Sequence, residues 1–108
     1  MQDLNDNSPV FSRLSYSALI NEAAEIGDTV AAVTATDVDA GENGRILYSI
    51  VGGDRHNQFS IDSRGVILVN GRLDREMISS YVLDVEAADH GIPVMSSTIL
   101  VNIDIGEL

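Results

Sequence analysis

The chain has 108 residues and a mass of 11.6 kDa, enough for one hydrophobic core and too little for two. Hydrophobic residues make up 44% and charged residues 21%, which excludes a chain disordered through low hydropathy. Six Arg, no Lys and 17 Asp or Glu give a formal charge of −11, a field that repels phosphate backbones and anionic lipid and counts against nucleic-acid and membrane-surface roles.

Strand signals recur along the chain, and no long segment carries the three- and four-residue apolar spacing of a helix with its cap and stop. A weak first strand is expected through Leu14, Tyr16, Ala18 and Ile20. Thr29 to Thr36 follows, rich in small and β-branched residues, with Val30 and Val33 the bulkiest. Arg45 to Val51 alternates Ile46, Tyr48 and Ile50; Phe59 and Ile61 come next; Ser63-Arg64-Gly65 turns into the apolar run Val66 to Val69. Tyr81, Leu83, Val85 and Ala87 then alternate with Val82, Asp84, Glu86 and Ala88, and Ile99, Val101, Ile103 and Ile105 with Leu100, Asn102, Asp104 and Gly106. Gly27-Asp28, Gly41 to Gly44, Gly52-Gly53-Asp54, Gly65, Asn70-Gly71 and Gly91 to Pro93 mark the turns.

Seven short strands with one apolar face each predict an all-β fold, an antiparallel β-sandwich of immunoglobulin-like, Greek-key architecture. Period-two alternation assigns the core to Val30, Val33, Ile46, Tyr48, Phe59, Ile61, Ile67, Tyr81, Leu83, Val85, Ile99, Val101 and Ile103. With two Phe and no Trp, aliphatic packing supplies most of the burial.

The absence of Cys removes thiolate metal sites, a Cys nucleophile and a disulfide framework, but leaves an extracellular address open. No apolar run approaches the roughly 18–20 residues that span a bilayer. Nor is there a charged-then-apolar leader, so the segment that addresses the parent protein is expected to lie outside this sequence. Asn7-Ser8 is followed by Pro9, and no Asn-x-Ser/Thr glycosylation acceptor is present.

The acid is clustered. Nine of the 17 carboxylates (Asp3, Asp6, Glu22, Asp37, Asp39, Asp74, Glu76, Asp89 and Glu107) stand in short segments mostly at strand ends, and the remainder nearly balances the six Arg. A sandwich gathers its loops at two poles. Asp3 to Asn7, Asp37 to Asn43 and Asp89 can share one; Glu22, Asp74 to Glu76 and Glu107 can share the other. Carboxylates about 4 Å apart repel by roughly 4 kcal/mol at an effective dielectric near 20, so crowding them calls for a cation. Oxygen-only ligands suit a hard ion, most simply Ca²⁺. Asp-Gly turns alone explain any single one of these loops. An EF-hand fails: counted from Asp37, the sixth position is Glu42 and the twelfth Tyr48.

These motifs carry a resemblance. Asp3-Leu4-Asn5-Asp6-Asn7-Ser8-Pro9-Val10-Phe11 resembles the DxNDNxPxF linker of cadherin extracellular repeats. Asn21-Glu22-Ala23, the DxDxGxNG-like Asp37 to Gly44, Leu73-Asp74-Arg75-Glu76 and Ala87 to Pro93 are similar to further cadherin signatures, in the family's order and over nearly the whole chain. The style is similar to repeats of protocadherin, Fat or Dachsous type.

The resemblance implies an inter-repeat calcium-binding linker and first-strand start over 1–11, a cadherin repeat over 12–106, and the first residues of a following linker at 107–108. It implies Ca²⁺ as the cofactor, three ions lying between successive repeats. Asn5, Asn7, Asp37, Asp39, Asn43 and Asp89 would form one site at the N-terminal pole, with Asn7 and Asn43 giving backbone oxygens. Asp3, the Leu4 carbonyl, Asp6 and Asp39 would bind the remaining ions there with a preceding repeat. At the C-terminal pole Glu22, Asp74, Glu76 and Glu107 would await a following one; Glu107 departs from the usual Asp. Arg75 is expected in a structural ion pair and His90 in an exposed turn.

The implied function is calcium-dependent cell–cell adhesion by an internal repeat, extracellular, in the ectodomain of a single-pass plasma-membrane protein. The expected partners are adjacent repeats in the chain and another cadherin ectodomain in trans or cis, with no nucleic acid and no small-molecule substrate. An outermost strand-swapping repeat would need a Trp near its N-terminus. Two rivals from other classes are a carboxylate-pair hydrolase and a calcium-dependent lectin module. The loop tips lack aromatic subsite residues and no nucleophile motif is visible, so no enzyme activity is expected.

Overall fold

The computed structural model describes residues 9–13, 15–36, 46–54, 56–89 and 94–106. Among the described residues nine strands form: β1 (Val10–Phe11), β2 (Tyr16–Asn21), β3 (Thr29–Ala32), β4 (Ala35–Thr36), β5 (Leu47–Gly52), β6 (Phe59–Ile61), β7 (Val66–Val69), β8 (Ser80–Ala88) and β9 (Ser96–Gly106). Seven of them have three or more residues, as the alternation predicts; β1 and β4 are two-residue additions that pair with each other. One layer is the four-stranded sheet β2-β9-β8-β5 and the other the three-stranded sheet β3-β7-β6, with the β1-β4 ribbon beside it.

The two layers close over a core of Tyr16, Val33, Phe59, Ile67, Val69, Leu73, Tyr81, Leu83, Val85, Ile99, Val101, Ile103 and Ile105. In the hairpin β8–β9 the register Tyr81↔Ile103, Leu83↔Val101 and Val85↔Ile99 puts the expected apolar phase inward on both strands. Phe59 from one layer meets Tyr81 from the other edge-on, with ring centroids 4.8 Å apart and planes at 83°. The Tyr81 hydroxyl donates to Gln58 Oε1. Burial, then the nearby charge of Asp54, pushes the Tyr81 pKa above its ordinary value.

The expected core is corrected at its margins. Val30, Ile46, Tyr48 and Ile61 are half-buried, while Tyr16, Ala35, Val69, Leu73, Ala87 and Ile105 are buried. The run Val66 to Val69 has no polar alternation to reveal its phase, and register with β6 selects Ile67 and Val69 as the inward pair. Leu73 stands in no strand and is buried beneath the turn that follows it.

Thr29 to Thr36 is not one strand. It breaks at Val33 and Thr34, where main-chain groups turn to other partners. Val33 N–H donates to the Gly65 carbonyl at 2.9 Å, and Ser12 N–H donates to the Thr34 carbonyl at 2.8 Å. Thr34 N–H donates to the Tyr16 hydroxyl at 3.2 Å, and Ala35 N–H to the Tyr48 hydroxyl at 2.9 Å. Two tyrosines thus satisfy the backbone that the interrupted ladder leaves over.

One pair departs from the antiparallel expectation. β2 runs parallel to β9, from Tyr16↔Val101 to Asn21↔Gly106. Both strands therefore point the same way. The 11 residues of β9 cover about 34 Å at the usual strand rise.

The β6–β7 turn generates two predictions. Gly65 has φ +84°, and a Cβ there would stand 2.2 Å from the Val33 carbonyl oxygen. Gly65→Ala should cost on the order of 1–3 kcal/mol or more, read from urea unfolding. Asp62 Oδ1 accepts the main-chain N–H of Arg64 at 2.8 Å and of Val66 at 3.0 Å, and Oδ2 meets the Arg64 guanidinium at 3.1 Å. The Val66 N–H leads in holding the Asp62 pKa below the usual carboxylate range; Arg64 adds to it and desolvation opposes it. This turn's support is complete above the unfolded pKa of about 4 and is lost as pH falls through the lowered folded value. Asp62→Asn should lower the melting temperature at pH 7 and flatten its decline below about pH 4, measured by thermal melts across pH.

Candidate functional site

The strand directions sort the described chain ends into two groups. At the first pole the register pair Val10↔Thr36 sets the start of β1 beside the end of β4. Pro9 is fully buried there, and Ser97 Oγ donates to its carbonyl at 2.5 Å, tying the incoming segment to the start of β9. Asp89 follows β8 directly and is 3% exposed. Its N–H donates to the Met95 carbonyl at 2.9 Å, and its Oδ1 accepts the Met95 N–H at 3.0 Å. Leu47↔Ala88 brings the start of β5 to the same end. Pro9, Thr36, Ile46 and Asp89 are the flanks of the segments 1–8, 37–45 and 90–93. Asp3, Leu4, Asn5, Asp6, Asn7, Asp37, Asp39, Asn43 and His90 lie outside the described residues, as does Glu107 at the other pole.

At that second pole three segments meet. Glu22 follows β2, and its N–H donates to the Gly106 carbonyl at 3.0 Å as an extension of the parallel ladder. Its Oε2 accepts the Arg75 main-chain N–H at 3.1 Å, across 53 residues of sequence. Asp74 opens a turn whose Met77 and Ile78 N–H groups donate to its carbonyl at 3.1 and 3.0 Å, while its Oδ1 accepts the Glu76 N–H at 3.0 Å. An Asp at the head of a turn does this because its short side chain reaches the N–H two residues on. Buried Leu73 pins the turn from below.

Arg75, expected in an ion pair, donates Nε to the Ile105 carbonyl at 3.1 Å. Sequence reasoning gave this residue no part in the site. Its long-range hydrogen bond to a strand carbonyl leaves no mark in the Leu73 to Glu76 motif itself.

An open groove of about 790 Å³ lies beside the second pole, lined by Glu22, Glu25, Asp74, Arg72, Leu73 and Met77 among others. Glu22 and the Asp74 to Glu76 turn thus share a pole, joined by the Arg75 N–H on Glu22. Among the described residues no group of three or more Asp, Glu, His or Cys converges closely enough to hold a metal ion. The described donors at both poles are carboxylate and carbonyl oxygens, the hard-donor chemistry that suits Ca²⁺.

A sequence profile described as "Cadherin domain" matches residues 16–106. Protocadherin Fat 1 of Homo sapiens is 44% identical over 107 residues, covering 98% of this chain and 2% of its own length. Protein dachsous of Drosophila melanogaster is 40% identical over 107 residues, covering 97% of this chain and 3% of its own length. This chain spans only a few per cent of these relatives. Among solved structures, mouse cadherin-23 EC22-24 superposes with a TM-score of 0.90 at 34% identity, covering 97% of this chain and 34% of that one. Protocadherin gamma B2 extracellular cadherin domains 3-6 superpose with a TM-score of 0.91 at 33% identity, covering 98% of this chain and 26% of that one. An all-β sandwich whose fold and sequence match that group, this chain belongs to the cadherin family of adhesion domains, not to a family of enzymes.

Proposed function

We propose that this domain is an internal extracellular cadherin repeat over residues 12–106, joined through a linker at 1–11 and a second beginning at 107, whose poles bind Ca²⁺ between successive repeats. The observation that carries the reading is the sorting of acidic segments by pole. Pro9, Thr36 and Asp89 flank the segments holding Asp3 to Asn7 and Asp37 to Asn43, while Glu22, Asp74 and Glu76 gather where β9 ends. Each pole is then half of a site, completed by the adjoining repeat. Asn5, Asn7, Asp37, Asp39, Asn43 and Asp89 serve one ion at the first pole, and Asp3, Leu4, Asp6 and Asp39 serve the others. Glu22, Asp74, Glu76 and Glu107 meet the linker of the following repeat.

The residues' own part is to hold oxygens in place. Asp89 is fixed by two hydrogen bonds to Met95, and Asp74 by the Glu76 N–H. When bound, Ca²⁺ supplies the positive charge that cancels carboxylate repulsion and accepts six to eight oxygens. Ligands drawn from two repeats and their linker then fix the angle between them, and the stiffened array presents adhesive surface to another ectodomain in trans or cis. The outer face of the four-stranded sheet, where exposed Val82 and Leu100 stand among Asp84, Glu86 and Asp104, is available to such a partner. The parent protein is placed at the plasma membrane with this repeat outside the cell.

Calcium titration tests the reading. Millimolar CaCl₂ should raise the melting temperature of this repeat joined to its neighbours and lengthen the particle in small-angle scattering, and EGTA should reverse both; unchanged profiles would refute it. Asp89→Ala should weaken calcium binding at the first pole. It should also cost about 1–3 kcal/mol without metal, because the half-buried Met95 N–H loses its acceptor.

A further inference from the structure

We propose that Arg75 is a positioning residue for the cation half-site at the C-terminal pole, holding Glu22 and Asp74 ready before metal arrives. Arg75 can play this part only if that pole takes a divalent cation, as proposed above. Its contacts reach in two directions. The main-chain N–H holds Glu22 Oε2 at 3.1 Å, and the side-chain Nε holds the Ile105 carbonyl at 3.1 Å. Ile105 precedes Gly106, whose carbonyl accepts the N–H of Glu22. The ring is thereby closed: Glu22 to the Arg75 backbone, the Arg75 side chain to the end of β9, and the end of β9 back to Glu22.

The side-chain link ties the Asp74 to Glu76 turn directly to the end of β9, beside the Arg75 N–H on Glu22, the turn's local bonds and buried Leu73. Without that link, Glu22 would lose a fixed N–H partner and regain the rotamer freedom that metal binding must then remove. A carboxylate oxygen has two lone pairs, so accepting one N–H orients the group and leaves acceptor capacity for an ion. The charge of Arg75 opposes an incoming cation, which is why substitutions have to separate position from charge.

Gln and Met separate them. Arg75→Gln is neutral and keeps an N–H donor as many bonds from the backbone as Nε; Arg75→Met is neutral, of similar length, and has no donor. The ¹⁵N-labelled chain, joined to its neighbouring repeats so that both poles are complete, would be titrated with CaCl₂, following the amides of Glu22, Arg75 and Glu76, with Met95 as the control at the opposite pole. Relative to Arg75→Gln, Arg75→Met should bind Ca²⁺ at least threefold more weakly at these amides, with Met95 responding alike in both. In EGTA, hydrogen exchange at the Arg75 amide should be faster in Arg75→Met. Equal affinities in the two variants, with wild type saturating, would overturn the positioning role alone, as would a lower melting temperature with unchanged affinity. A wild-type chain without saturable shifts at these amides would overturn the calcium reading of this pole together with the role of Arg75.

Discussion

The parallel pairing of β2 with β9 is the constraint on which the rest of the molecule depends. Because Tyr16↔Val101 and Asn21↔Gly106 bound the same ladder, the strand near the start of the chain and the strand that ends it point the same way. The chain accordingly arrives at one pole and leaves from the other. An antiparallel pair would have set both chain ends on one pole, and successive domains could not follow one another in a row. The same ladder, prolonged by the hydrogen bond from Glu22 to Gly106, carries an acid to the departing end.

The arrival side is built with equal care. β1 pairs with β4 in one layer before the chain crosses to β2 in the other, and Pro9 is held by Ser97 at the start of β9. The break between β3 and β4 makes this ribbon, and the hydroxyls of Tyr16 and Tyr48 satisfy the backbone it frees. Those tyrosines are as much hydrogen-bonding groups as core residues, Tyr16 buried and Tyr48 half-buried.

Much of this was legible in the sequence. Alternation in Tyr81 to Ala88 and Ile99 to Ile105 fixed the inward phase of the central hairpin, because one buried face leaves only one workable register. The turn glycines Gly27, Gly53 and Gly65 were equally plain. Val69 and Leu73 were missed, the first because an unbroken apolar run carries no phase, the second because it is buried from a loop. The parallel pair was hidden too, since alternation reports which face a residue occupies and is silent on the direction of its neighbour. At the candidate sites, residue chemistry pointed to Glu22, Asp74, Glu76 and Asp89. What joins them is main-chain donors: Arg75 N–H for Glu22, Glu76 N–H for Asp74 and Met95 N–H for Asp89. Such donors are common to almost every residue and leave no signature in side-chain identity.

The parallel ladder also settles how the domain meets a pull along its length. Tension drawing the chain outward at both poles drags β2 and β9 past each other in opposite senses, so their six register pairs are loaded in shear together instead of peeling apart one by one. Rupture then requires the whole ladder to fail at once, and the domain resists stretching in the direction in which a string of such units would be pulled.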